Sequence, residues 1–165
     1  MSKESSPAEG IGGKLFGTGD RCDFVSVTIA DQLFGIPVLQ VQDVLGSQRI
    51  TRIPLAPAEV AGSLNLRGRI VTAIDIRTHL GLPPRPENRQ AMSVVVDHGG
   101  ELYSLLVDSV GEVLSLESND AERNPATLDP IWREVSAGIY RLDGTLLIVL
   151  DVARVLDFSA RAAAA

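Results

Sequence analysis

Two charged residues stand out because each interrupts an apolar stretch: Asp43 in Val41-Gln42-Asp43-Val44, and Arg67 in Asn65-Leu66-Arg67-Gly68-Arg69-Ile70-Val71. A guanidinium and a carboxylate brought together by the fold form a directional ion pair that fixes both side chains in one pose. Two readings stand at this point. The pair is an ordinary surface contact worth about 0 to 1 kcal/mol, or it belongs to a surface that recognises a partner. Catalytic chemistry has less to work with. His79 and His98 have no cysteine or second histidine at metal-ligand spacing, no Gly-x-Ser-x-Gly elbow presents a nucleophile, and neither a G-x-G-x-x-G fingerprint nor a P-loop is present. The sequence therefore assigns no catalytic residue, no metal and no cofactor.

The chain that must position Asp43 and Arg67 has 165 residues, 45% of them hydrophobic, which suits one domain or two small modules sharing a core. A net charge of -6 with no long run of Lys or Arg argues against nucleic acid as a partner. Cys22 is the single cysteine and cannot form an internal disulfide, and the N-terminus has no apolar signal core, so the expected compartment is the cytoplasm. Apolar stretches such as Leu146 to Leu150 fall far below the roughly 20 residues of a spanning helix, so no direct membrane insertion is expected. Residues 1–20, rich in Ser and Gly, read as a flexible tail, 21–158 as the folded unit and 159–165 as a fraying end.

Within the folded unit, short runs rich in β-branched residues predict strands at Phe24 to Ile29, Leu33 to Val38, Arg69 to Ile74, Ser93 to Val96, Leu102 to Val107, Val113 to Leu116, Gly138 to Leu142 and Thr145 to Leu150. Turn residues separate them at Ala30-Asp31-Gln32, Asp97-His98-Gly99-Gly100 and Asp143-Gly144. Short helices are expected at Pro57 to Ala61, Asp75 to Leu80, Asp129 to Val135 and Asp151 to Leu156; the Asp that opens the second and the fourth can accept the free N–H groups of a first turn. The lone Trp132 reads as a packing residue that caps the second half.

The pattern repeats. Leu33 to Val44 aligns with Leu102 to Val113 at a constant offset (103 minus 34 is 69), and Leu66 to Ile76 aligns with Leu142 to Val152 at another (144 minus 68 is 76). The difference places an insertion of seven residues (76 minus 69) in the second copy, expected between Glu117 and Trp132. Two copies of one β-rich unit predict an all-β protein of two similar small five-stranded barrels packed together, each open to completion by strands from the other half. The sister of the Arg67 hairpin carries Asp143 in its turn, so turn geometry alone is expected to demand no arginine there. The strand-end acid recurs as Asp43 and Glu112, and only the first copy offers it a basic partner.

Val41-Gln42-Asp43-Val44, Thr51-Arg52-Ile53-Pro54, Gly62, Asn65 to Val71, Ile74-Asp75-Ile76-Arg77 and Val107 to Leu116 together resemble the CheW-like family of chemotaxis coupling proteins, over about Asp23 to Phe158. The resemblance implies two SH3-like five-stranded barrels and a non-catalytic adaptor. Its implied partners are the cytoplasmic tip of a methyl-accepting chemoreceptor and the regulatory domain of the histidine kinase CheA, met as a monomer that joins a larger array beside the membrane. It implies receptor-binding roles for Arg67 and Asp43, a helix-receiving groove lined by Val41, Val44, Val110 and Val113, and backbone roles near that surface for Gly62, Asn65 and Gly68. The family's acid is more often Glu, so Asp43 reaches one methylene less far. The kinase-binding residues stay unassigned. For each of the four valines, plain core is the competing reading, because a strand always turns one face inward. Two alternatives of function remain: the same adaptor in a chemosensory pathway that does not control flagella, and a double barrel whose cleft binds a small ligand.

Overall fold

The computed structural model describes residues 21–86 and 88–157; the expected tails 1–20 and 159–165 lie outside them. Among the described residues, ten strands and three short α-helices run in the order β1 (Arg21–Ile29), β2 (Gln32–Pro37), β3 (Val41–Leu45), β4 (Val60–Leu66), β5 (Arg69–Asp75), α1 (Ile76–His79), β6 (Met92–His98), β7 (Glu101–Val107), β8 (Ser109–Glu117), α2 (Pro130–Val135), β9 (Ser136–Leu142), β10 (Thr145–Leu150) and α3 (Val152–Val155). One sheet has the order β8-β1-β2-β10-β9 and the other β3-β6-β7-β5-β4. The all-β, two-unit fold expected from the repeat is thus present. Each sheet combines strands of both copies: β1 and β2 pair with the third, fourth and fifth strands of the second copy, and β6 and β7 with those of the first. The copies meet in the antiparallel pairs β1–β8 and β3–β6 and in the parallel ladders Phe34↔Ile148 and Tyr103↔Thr72, whose four residues are related by the same two offsets.

Three apolar clusters explain why the strands read as nearly continuous apolar runs. Phe24, Tyr140, Leu147 and Val149 fill the first sheet's own cluster, and Leu64, Val71, Ala73 and Leu106 fill the second's. A third and larger cluster draws on both sheets, with Val25, Val27, Phe34, Ile74, Val94, Val96, Leu105, Ile148 and Leu150 among its members. A strand such as β10 sends Leu147 and Val149 to its own cluster and Ile148 and Leu150 to the shared one. Both faces are buried, so hydrophobic residues do not alternate with polar ones. At about 25 cal/mol per Å² of apolar surface, each large side chain buried in this way contributes about 1.5 to 3 kcal/mol.

The helices begin as the aspartates predict: the Asp75 carboxylate accepts from Arg77 N–H at 3.0 Å, and that of Asp151 from Arg154 N–H at 3.3 Å. Asp129 does the same for α2, accepting from Ile131 N–H at 2.9 Å, with Pro130 in the first helical turn. The expected helix at Pro57 to Ala61 is a turn, in which Pro57 O accepts from Val60 N–H at 2.9 Å before β4 begins. The Ala-Pro-Ala-Glu composition favours a helix start locally, and the six-pair ladder of β4 with β5 overrides it. Trp132 serves the shared core instead of capping one half. Its ring meets that of Phe34 at 5.7 Å, and its indole N–H donates to Leu80 O at 3.3 Å.

The insertion falls in the β8 to β9 connection. Thr51↔Ser63 and Glu122↔Ile139 are equivalent isolated bridges, with offsets of 71 (122 minus 51) and 76 (139 minus 63), so two extra residues precede the bridge and five come after it. The five lie on the stretch that ends in α2.

Candidate functional site

β4 and β5 carry Arg67 at the tip of a two-residue turn, with φ of 53° at Arg67 and 84° at Gly68. Both are left-handed, the combination that matches the twist of a hairpin and favours Asn-Gly or Gly-Gly. The Asn65 carboxamide oxygen accepts from Gly68 N–H at 3.0 Å and closes the turn. Asp143 in the sister hairpin is not among the non-glycine residues with positive φ, although Gly144 has φ of 76°. The two turns therefore differ, and the left-handed geometry at Arg67 does not itself call for an arginine. The left-handed position disfavours a residue with a Cβ by about 1 to 2 kcal/mol, so an arginine is at Arg67 despite the backbone.

From that tip Arg67 Nη2 donates to Asp43 Oδ2 at 2.9 Å. Asp43 Oδ1 accepts from Val44 N–H at 2.9 Å, so each carboxylate oxygen has one partner and the guanidinium uses a single nitrogen. The Arg67 side chain is 76% exposed and that of Asp43 26%. Most of the guanidinium's donors thus face solvent, while the carboxylate is half held by its own strand.

The four valines occupy repeat-related places. Val41 is opposite Val96 and Val44 opposite Val94, with a bulge between them; Val110 is opposite Val27 and Val113 opposite Val25, again across a bulge. Directly opposed residues of an antiparallel pair project from the same face, and Val94, Val96, Val25 and Val27 all belong to the shared core. The bulges therefore turn residues three apart toward one side, where regular alternation would split them. Val41 and Val110 pack against the shared core, and Val44 and Val113 carry the same face outward, 38% and 60% exposed. The structure thus leaves two of the valines half-buried against the core and two at the surface. Gly62 lies beside the bulge of β4 with φ of 150°, and a Cβ there would be 2.2 Å from Thr51 O, so the position excludes any side chain. Gly68 faces open space and is required by its φ alone.

A second charged cluster is one that the sequence did not reveal. Asp108, between β7 and β8, accepts from Arg77 Nε at 2.9 Å and Nη2 at 2.7 Å, from Arg85 Nε at 2.9 Å and from Ala30 N–H at 2.8 Å. Arg77 also donates to Pro83 O at 2.9 Å, and Arg85 approaches Asp75 at 3.5 Å. Burial alone would raise the Asp108 carboxyl; the donors Arg77, Ala30 N–H and Arg85 outweigh it and hold the group well below the usual carboxylate range. Hydrogen bonding to Asp108, opposed by burial, raises Arg77 in turn. The signal available in the sequence was a charge at the end of each of two apolar strands, Asp75 and Arg77 after one and Asp108 after the other.

Among the described residues no three His, Cys, Asp or Glu side chains converge as metal ligands, and no helix is long and apolar enough to cross a membrane. A cavity of about 420 Å³ is lined by Arg52 to Ala58 with Val60 and Ala61, the residues of one loop and the strand it enters. It lacks the convergent acids and bases of a catalytic pocket.

Two interleaved five-stranded sheets around a shared core, with a hairpin arginine against a strand-end acid, define a double β-unit. The model of the CheW-like domain matches residues 23–160, and the chain belongs to that family. It is 29% identical over 144 residues to the chemotaxis protein CheW of Klebsiella aerogenes, covering 87% of each chain. A probable chemotaxis protein CheW of Rhizobium etli is 26% identical over 84% of this chain and 89% of its own. Among solved structures, the scaffolding protein TtCheW of Thermoanaerobacter tengcongensis superposes with a TM-score of 0.70 at 28% identity, over 81% of this chain and 89% of that one.

Proposed function

We propose that this chain is a non-catalytic chemotaxis signalling adaptor that couples transmembrane chemoreceptors to the histidine kinase CheA, working in the cytoplasm as a monomer that enters a receptor array. The observation that carries the reading is that Val44 and Val113 extend the shared core toward solvent on the edge strands β3 and β8, with Asp43, the partner of Arg67, next to Val44 on β3. A helix docks on an apolar strip with a few oriented charges at its rim, and a receptor's cytoplasmic tip is helical. Arg67 keeps most of its donors free for an acidic or carbonyl group on that helix. The names of the similar proteins, chemotaxis protein and scaffolding protein, support the same pathway. The kinase regulatory domain is the second partner and takes a separate surface.

The test is a calorimetric titration of the wild-type protein and Arg67→Ala against a soluble receptor cytoplasmic fragment and, separately, against the CheA regulatory domain. Wild type binding both, with the variant losing only the receptor fragment, supports the adaptor and its division of surfaces. Wild type binding neither overturns it.

A further inference from the structure

Asp108 sits where the chain leaves one sheet and enters the other, since β7 belongs to the second sheet and β8 to the first. Its side chain is 9% exposed, and its partners come from three further places: the β1 to β2 turn at Ala30, α1 at Arg77 and the connection to β6 at Arg85. Its own N–H donates to Thr28 O at 3.0 Å, so Asp108 holds the end of β1 through both backbone and carboxylate. That end needs holding. Ala30 and Asp31 form a two-residue turn with φ of 51° and 69°, left-handed at two residues that both carry a Cβ.

Immediately after Asp108 the chain enters β8. Only Ser109↔Thr28 and Val110↔Val27 pair before the bulge interrupts the ladder. Five further pairs, from Val113↔Val25 to Glu117↔Arg21, hold the strand beyond the bulge, so the two-residue segment before it is the part least fixed by the ladder, and a slip of one residue there turns its side chains to the other face. The first copy solves the same crossover differently: Leu39, the residue related to Asp108 by the offset of 69, lies 95% exposed in a one-turn 3-10 segment at Val38–Gln40. The buried ion cluster is thus specific to the crossover that launches β8.

We propose that Asp108, gripped by Arg77 and Arg85, is a positioning residue that fixes the register of the first residues of β8 and so sets Val110 and the bulge that precedes Val113 on the recognition face, without touching the partner itself. This role in recognition rests on the adaptor reading; the role in register does not. Arginine supplies the forked geometry it requires, because two parallel N–H donors define the angle of the carboxylate as well as its place. Replacing a buried ionic cluster by apolar residues of similar size often leaves stability unchanged or improved, which separates positioning from stability.

The experiment uses the full chain carrying Arg77→Met, Arg85→Met and Asp108→Leu together, with Arg77→Lys as a milder second variant that keeps the charge and loses the fork. Amide hydrogen exchange is monitored at Ser109 to Val113 against Val94 to Val96 and Leu105, and each variant is titrated with the receptor cytoplasmic fragment. Exchange rising at least tenfold at the β8 amides that pair with β1, with the reference amides and Tm near wild type and fragment binding at least tenfold weaker, supports the proposal. Unchanged or uniformly raised exchange overturns the register role. Selective loosening of β8 with fragment binding at wild-type strength overturns the role in recognition. Should the wild-type protein not bind the fragment, the adaptor reading fails, and the exchange pattern still decides the register role.

Discussion

Arg67→Gly and Arg67→Ala separate what the arginine does for the hairpin from what it does for a partner. The ion pair with Asp43 is highly exposed on the arginine side, so its loss costs about 0 to 1 kcal/mol. Glycine also makes the unfolded chain more flexible, at a cost of about 0.4 to 1 kcal/mol. Against this, Arg67 is left-handed with φ of 53°, and glycine removes a penalty of about 1 to 2 kcal/mol. Arg67→Gly should therefore lie between about 1 kcal/mol below and about 1.6 kcal/mol above wild type, whereas Arg67→Ala keeps the backbone penalty, loses the pair and falls slightly below it. Thermal denaturation gives the order glycine at or above alanine. Both variants should bind the receptor fragment at least 30-fold more weakly, about 2 kcal/mol, the scale of an arginine that anchors an interface. If Arg67→Gly unfolds 10 °C below wild type, the pair is holding the hairpin and the separation of roles is refuted.

Gly62→Ala should destabilise the fold by about 3 kcal/mol or more, because the new Cβ would overlap Thr51 O and sit at a φ of 150°, and urea denaturation should show the loss as a lower midpoint. Asp108→Asn should cost about 3 to 5 kcal/mol by leaving Arg77 and Arg85 without their shared counter-charge, again read by urea denaturation. Because the Asp108 carboxyl titrates below its unfolded value of about 3.9, its contribution is complete above about pH 4 and is lost as the pH falls through the lower folded value; an acid titration of Asp108→Asn should lack that part of the loss. Val113→Ser should change stability by less than about 0.5 kcal/mol and still weaken receptor-fragment binding, while Val110→Ser, packed on the shared core, should lower Tm as well.

The fold was legible because the repeat is strong. The alignment of Leu33 to Val44 with Leu102 to Val113 and of Leu66 to Ile76 with Leu142 to Val152 marks one unit twice, and the sheets obey those offsets down to single ladder pairs. β3 and β4 were harder to see as strands. Val41–Leu45 is short and bulged, and Val60–Leu66 opens with residues that suit a helix start as well as a strand. At the site, the charge types of Asp43 and Arg67 identified the pair, and only coordinates reveal that one nitrogen makes the contact. The Asp108 cluster was hidden because its members lie at 30, 77, 85 and 108, and no spacing along the chain announces a meeting that depends on the sheet crossover.

The repeat also bears on how such a face discriminates. Its apolar members come in related pairs, Val41 with Val110 and Val44 with Val113, each pair opposite equivalent strands. An apolar strip with that symmetry would accept a helix in either direction. The charges break the symmetry: where the first copy has Asp43 and Arg67, the second has Glu112 and Asp143, two acids and no base. In the proposed adaptor, affinity then comes from the paired valines and orientation from the one-sided arginine. Complementary charges are worth more for choosing a partner and its register than for holding it. An arginine in a backbone conformation that disfavours it, where the sister position is acidic, is what a requirement for direction would call for.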